Sequence, residues 1–275
     1  MQMILERARA SALLGIVFLF SGSNYALAQA NAPDMSKLTM TFREDFDSLS
    51  VSPNGPNTRW IAHTPWNGDF GDSRFADPIM GIFPFTIDNG MLRIEAKKNA
   101  AGKWESGLLC SFDANNKGFS QKYGYFEMRA KLPKGPGLWP AFWLVSLIDK
   151  SARAGIEIDV LEYYGQFPTD YEVNVNVSYK NPADAVPQGK PQKVYIQEGL
   201  LVNQFNTFGV WVDPEWIIFY LNRSEVYRKK TPAEHTRPLG VLVNLAMGPG
   251  WPIDKTPNPS IMEVDYVHVY ALRDQ

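Results

Sequence analysis

"GIEIDVLEYYG", residues 155–165, sets three carboxylates, Glu157, Asp159 and Glu162, in a run of Ile, Val, Leu and Tyr that otherwise reads as a buried strand. Side chains two apart on a strand share a face. Ile156, Ile158 and Val160 then turn to a core, and Glu157 and Asp159 turn away from it. Strict alternation would carry Glu162 into the core, where a lone carboxylate is expensive. One extra residue near Val160–Leu161, accommodated as a β-bulge, removes the conflict, and bulges re-aim side chains in this way. Past the bulge, Leu161 and Tyr163 face inward, and Glu162 and Tyr164 join Glu157 and Asp159. The stretch predicts a bulged strand with three acids on one face.

Outward from this strand the same period recurs. "MLRIEAK" (91–97), "YGYFEMRAKL" (123–132), "YEVNVNVSY" (171–179), "NTFGVWV" (206–212), "WIIFYLN" (216–222), "LGVLVNLAM" (239–247) and "MEVDYVHVY" (262–270) read as strands. "DNG" (88–90), "PKGPG" (133–137), "DPE" (213–215) and "GPGWP" (248–252) read as turns. Many short strands joined by polar turns imply an all-β sandwich or barrel. No linker divides the chain.

The first 28 residues stand apart. Arg7 and Arg9, the apolar "ALLGIVFLF" and the small-residue "ALAQA" make the pattern of a secretory signal peptide, with cleavage after Ala28 or Ala30. Residues 29–275 are then one domain, secreted or periplasmic. A net charge of −2 gives no electrostatic case for nucleic acid or an anionic membrane surface. The single cysteine, Cys110, excludes an internal disulfide and reads as a small buried hydrophobe. Three histidines leave few candidates for a Ser–His pair or a His-rich metal centre. Phe, Tyr and Trp are numerous enough to serve both a core and the apolar faces of sugars.

Three acids on one face repel one another. A hard cation among them is one explanation. Carboxyl chemistry, in which repulsion and burial keep one group protonated near neutrality, is the other. An alternating apolar strand is a poor host for Ca²⁺, which favours loops rich in carbonyls. Retaining glycosidases use two carboxyl groups about 5–5.5 Å apart, and long Glu side chains at the two ends of the triplet suit that task.

"EIDVLE" resembles the E-x-D-x-x-E signature of glycoside hydrolase family 16, in its bulge-containing, laminarinase-like branch. "KYGYFEMRAKLPKGPGLWPAFWLV" (122–145), "VNLAMGPGWP" (243–252), "FREDFD" (42–47) and "MEVDYVHVY" resemble other segments of that family, in the same order. The resemblance implies a jelly-roll sandwich of two curved antiparallel sheets with an open cleft. It implies a secreted endo-acting β-glycanase with Glu157 as nucleophile, Glu162 as general acid and base, and Asp159 tuning both. It also implies a structural calcium in some members, and Glu44 and Asp265 match the positions involved; no cofactor is required. A polysaccharide is the expected partner, bound by a monomer with no role for nucleic acid or, after leader removal, a membrane. A carbohydrate-binding protein on the same fold and a transglycosylase stay open as alternatives.

Candidate sugar contacts follow. In "LWPAFWLV", Trp139 and Trp143 share a face across Ala141, and Trp66 and Trp251 sit in loops. Asn176 stands where many laminarinase relatives carry a histidine, and shares a face with Asn174. Where those relatives carry an N-x-E-x-Q-x-Y stretch, this chain has "NGDFGDSRFADP" (67–78), with Arg74 as a candidate contact to an acidic exopolysaccharide.

Overall fold

The computed structural model describes residues 32–66, 68–80 and 83–273. The expected leader lies outside them. The described strands are β1 (Leu38–Glu44), β2 (Val51–Ser52), β3 (Trp60–Ile61), β4 (Arg74–Phe75), β5 (Phe85–Asp88), β6 (Met91–Lys98), β7 (Trp104–Ser106), β8 (Leu108–Cys110), β9 (Gly124–Lys131), β10 (Leu138–Ser146), β11 (Ala154–Glu162), β12 (Asp170–Tyr179), β13 (Gln192–Tyr195), β14 (Asn206–Val212), β15 (Trp216–Leu221), β16 (Ser224–Lys230), β17 (Leu239–Met247) and β18 (Ser260–Leu272). The one described α-helix is a single turn, Leu200–Asn203.

Two sheets form a jelly-roll sandwich. One runs β16-β15-β14-β9-β18-β6-β7-β4, with β1 also on β18 and β5 on β6; the other runs β13-β12-β11-β10-β17-β8-β3-β2. Alternation explains the core between them. Phe126 and Met128 of β9, Phe208 and Val210 of β14, and Val267 and Val269 of β18 meet Phe142 and Leu144 of β10, Ile156 and Ile158 of β11, and Val241 and Val243 of β17.

A second cluster lies on the outer face of the eight-stranded sheet. Phe75, Leu108, Cys110, Ala141, Trp143, Leu242 and Ala246 pack there, with Phe70 and Trp139 against them. β17 is thus buried at all nine positions. That is why "LGVLVNLAM" reads as a near-continuous apolar run, as strands covered on both faces do. Burial pushes the Cys110 thiol up to about 12, as its reading as a hydrophobe requires.

The bulge falls where the acid spacing placed it. On β10, Phe142 pairs with Leu161 and Trp143 with Asp159, so Val160 is passed over. On β12, Asn174 pairs with Asp159 and Glu172 with Glu162. Val160, Leu161 and Tyr163 all join the core.

Candidate active site

β11 is flanked by β10 and β12, and the register sets the neighbours of each acid. Glu157 lies opposite Val145 and Asn176, Asp159 opposite Trp143 and Asn174, and Glu162 opposite Ala141 and Glu172. Next on β17 come Leu242, Asn244 and Ala246, opposite Trp143, Ala141 and Trp139. A cavity of about 170 Å³ opens over this patch, lined by the three acids, Trp66, Phe70, Trp139, Ala141, Trp143 and Asn244. Among the described residues, the lining holds three carboxylates and no cationic group.

Each acid has a distinct setting. Asn176 Nδ2 donates to Glu157 Oε1 at 3.1 Å and to Asp159 Oδ2 at 3.2 Å. Asn174 Nδ2 donates in turn to Asn176 Oδ1 at 3.0 Å, which fixes the amide's orientation. Trp139 Nε1 donates to Glu162 Oε1 at 3.1 Å, and Tyr164 OH to the same oxygen at 3.3 Å. The Tyr164 ring stacks on Trp139 with centroids 6.1 Å apart.

Burial dominates the electrostatics. It raises Glu157 above the ordinary carboxylate value, and the Asn176 hydrogen bond opposes the rise. It raises Asp159 well above its ordinary value, and the charges of Glu162 and Glu157 add to the effect. It pushes Glu162 up to about 6, against the Trp139 hydrogen bond. Desolvation disfavours the charged form, and a like charge does the same. The three carboxyl groups thus share one lining, and burial holds the proton on each more tightly than in water.

The aromatic wall comes from two directions. Trp139 and Trp143 rise from β10, and Trp143 is fixed by its Nε1 donating to Asn244 Oδ1 at 2.8 Å. The segment after β3 folds over them. Phe70 meets Trp139 and Trp143 edge-on, at 5.3 and 5.9 Å between centroids. Trp66, 40% exposed, meets Trp143 at 6.1 Å.

The remaining expected contacts lie elsewhere. Trp251 sits against Phe167, with Pro136, Gly137, Gln166 and Pro252 around it, outside the acid-lined cavity. Arg74 pairs with buried Glu105, on the parallel pairing of β4 with β7, and does not line the cavity. Asn176 meets the carboxylates directly. Phe70 and Asn244 were not singled out in the sequence. A lone Asn in the apolar run of β17 is a signal that could have found Asn244; Phe70 had none.

Glu44 and Asp265, the candidate cation ligands, are each paired to an arginine. Glu44 is buried, accepts from Phe46 N and Trp60 Nε1, and faces Arg59 Nε at 2.7 Å. Asp265 pairs with Arg129. Among the described residues, no group of three or more His, Cys, Asp or Glu is placed to hold an ion. Ca²⁺ takes six to eight oxygen ligands, and these two acids are already held by guanidinium groups.

A jelly roll with three carboxylates and an aromatic wall along one face defines a carbohydrate-active β-sandwich. Residues 79–268 match the family described as Glycosyl hydrolases family 16, and the chain belongs to that family. It is 30% identical over 261 residues to the endo-1,3-1,4-beta-glycanase ExsH of Rhizobium meliloti (strain 1021), covering 87% of this chain and 53% of the relative. It is also 30% identical over 263 residues to the endo-1,3-1,4-beta-glycanase EglC of the same organism, covering 88% and 53%. The chain thus spans about half the length of these two relatives. The laminarinase catalytic domain of Thermotoga maritima MSB8 has the same fold, with a TM-score of 0.67 at 22% identity over 86% of this chain and 100% of that one.

Proposed function

We propose that the protein is an exported, endo-acting, retaining β-glycanase that cleaves an uncharged 1,3- or 1,3-1,4-linked β-glucan. One observation carries this reading. Three carboxylates, Asp159 buried and Glu157 and Glu162 half-buried, stand beside an aromatic wall, and the described lining residues include no cationic group. Such a lining suits the apolar faces of neutral sugars and repels a uronate or a sulfate. The neutral glucan is therefore favoured over an acidic exopolysaccharide, and the position of Arg74, paired to Glu105, removes its candidate anion contact.

In the reaction, Glu157 attacks the anomeric carbon as the glycosidic C–O bond breaks. Glu162 gives its proton to the departing oxygen. Glu162, now ionised, takes a proton from water as that water attacks the same carbon. The Glu157–glycosyl bond breaks and the product leaves with the starting β configuration. Asp159, its pKa raised by burial and by both neighbours, keeps a proton near Glu157 and Glu162 so that the triplet does not carry three full charges. No step uses a metal. Export rests on the N-terminal segment, whose basic start, apolar run and "ALAQA" make a leader.

The test is reducing-end release from laminarin, mixed-linkage β-glucan, carrageenan and an acidic exopolysaccharide, with proton NMR of the first-formed anomer and Glu157→Gln alongside. Cleavage of the neutral glucans to β-anomer products, lost in the variant, is expected. Preference for a charged polymer, or α-anomer products, overturns the reading. Longer chains in the product mixture identify a transglycosylase, and binding without cleavage a lectin-like protein.

A further inference from the structure

The wall over the cleft is tied down at one point outside the acid strand. His63 follows β3, with its side chain 18% exposed. Its Nδ1 lies 2.9 Å from Asp69 Oδ2 and its Nε2 lies 3.0 Å from Asp77 Oδ2. Asp77 is buried, and its other oxygen accepts from Ile79 N and Met80 N at 2.8 and 3.2 Å. It is a fixed post. Asp69 belongs to the segment that carries Trp66 and Phe70. Thr64 Oγ1 closes that segment, 3.1 Å from Trp66 O and 2.9 Å from Gly68 O.

A neutral imidazole has one N–H and one lone pair. It can donate to one carboxylate, and must then turn its lone pair on the other. With both carboxylates ionised, a ring at these distances is satisfied only with a proton on both nitrogens. We propose that His63, as an imidazolium bridging Asp69 to Asp77, is the positioning residue that holds the Trp66–Phe70 wall over the cleft, and that losing its second proton releases the wall. The consequence for sugar binding rests on the glycanase reading; the clamp itself does not.

The surroundings agree. The charged groups facing the ring are Asp69 from its own segment and Asp77 from the segment beyond β4. Asp72 lies instead against Gly248, and Arg74 is paired to Glu105. The Asp69 hydrogen bond, with a further one from Asp77, raises His63 above the ordinary histidine value despite its burial. Burial works against the Asp77 charge, but the His63 and Ile79 hydrogen bonds outweigh it and hold its pKa low. For a raised histidine, the stabilisation is complete below its unfolded value, about 6.5, and is lost as pH rises through the folded one. The wall should therefore be closed in mildly acidic solution, where Glu162 is still protonated, and loosen on the alkaline side.

Hydrogen–deuterium exchange of segment 62–76 between pH 6 and pH 9, corrected for intrinsic rates, reads the clamp without substrate. The expected result is exchange severalfold faster at pH 9 than at pH 6, while β9 and β18 stay protected. His63→Gln should exchange fast at every pH, and Asp69→Asn should lose the pH dependence while keeping the fold. On a cleaved glucan, KM should climb with pH in the wild type more steeply than kcat changes, and be uniformly high in His63→Gln. Exchange in segment 62–76 that ignores pH, or a His63→Gln protein protected like the wild type, overturns the proposal. If the exchange behaves as described and no glucan is cleaved, the clamp stands and the substrate reading falls.

Discussion

Trp139 donates its indole N–H to Glu162 Oε1 at 3.1 Å. The bond has a definite direction of effect. Burial pushes Glu162 up to about 6, and the Trp139 hydrogen bond, which favours the ionised form, restrains it. A general acid must be protonated to act, so kcat/KM should fall as pH rises through that value. Trp139→Phe keeps a flat ring on the floor of the cleft and removes the donor. Its alkaline limb should move to higher pH, by up to about one unit for a lost hydrogen bond to a charged group. A pH profile of kcat/KM checks this; a limb that moves to lower pH would mean that Glu162 is not the acid.

Asn176 separates two roles that the sequence leaves open, sugar contact and carboxylate partner. Its amide reaches both Glu157 and Asp159, and its bond to Glu157 opposes the rise that burial causes. As the proposed nucleophile, Glu157 must be ionised to act. In Asn176→Ala the Glu157 pKa should climb, so the acid limb of kcat/KM should move to higher pH and the active range narrow. KM at the optimum should hardly change. A large rise in KM with an unmoved acid limb would assign Asn176 to the sugar instead.

Much of this was legible because strand chemistry is local. The parity of Ile156, Ile158, Leu161 and Tyr163 against the three acids admits one bulge, and Val160 is the residue passed over. Strands such as Asn206–Val212 and Leu239–Met247 fall on the stretches that alternation marked. The short parallel pairings of β2 with β3 and β4 with β7 had no such signal, since strands of two or three residues carry no period. The cleft wall was less legible for a related reason. Phe70 meets Trp139 and Trp143 only because a loop folds across the sheet, and no spacing in "NGDFGD" encodes that. Arg74 shows the same limit. Its nearest acids in sequence are Asp72 and Asp77, yet its partner, Glu105, comes from 31 residues away.

The other sheet holds a polar network whose loss should be felt in stability alone. Glu127 is fully buried on β9 and takes two bonds from Arg223, at 2.9 and 2.8 Å. Tyr125 OH and Tyr266 OH each add one at 2.8 Å. Arg223 occupies a positive-φ position in the β15–β16 turn, so the pair also pins that turn. Breaking a buried pair costs about 3–5 kcal/mol, and the partial exposure of Arg223 puts Glu127→Gln at about 2–3 kcal/mol. A lower urea midpoint with an unchanged slope, and an unchanged kcat, is the expected result. A shifted kcat would tie the network to the cleft.

The bulge itself gives the sharpest test of the parity argument. Deleting Val160 leaves Ile158 inward, Asp159 outward, Leu161 inward and Glu162 outward, so plain alternation keeps all three acids on the cleft face. The core loses one buried valine, at a cost of about 1.5–3 kcal/mol. Inserting one alanine between Leu161 and Glu162 has the opposite geometry. It drives Glu162 toward the core and Tyr163 toward the cleft, and a carboxylate forced into the core is expensive. The deletion should fold, with a lower urea midpoint, and keep an activity that Glu162→Gln abolishes by about 10²–10⁴-fold. The insertion should fail to fold or lose activity altogether. A deletion variant that unfolds while the insertion variant stays folded and active would show that Val160 does more than reset the faces of the strand.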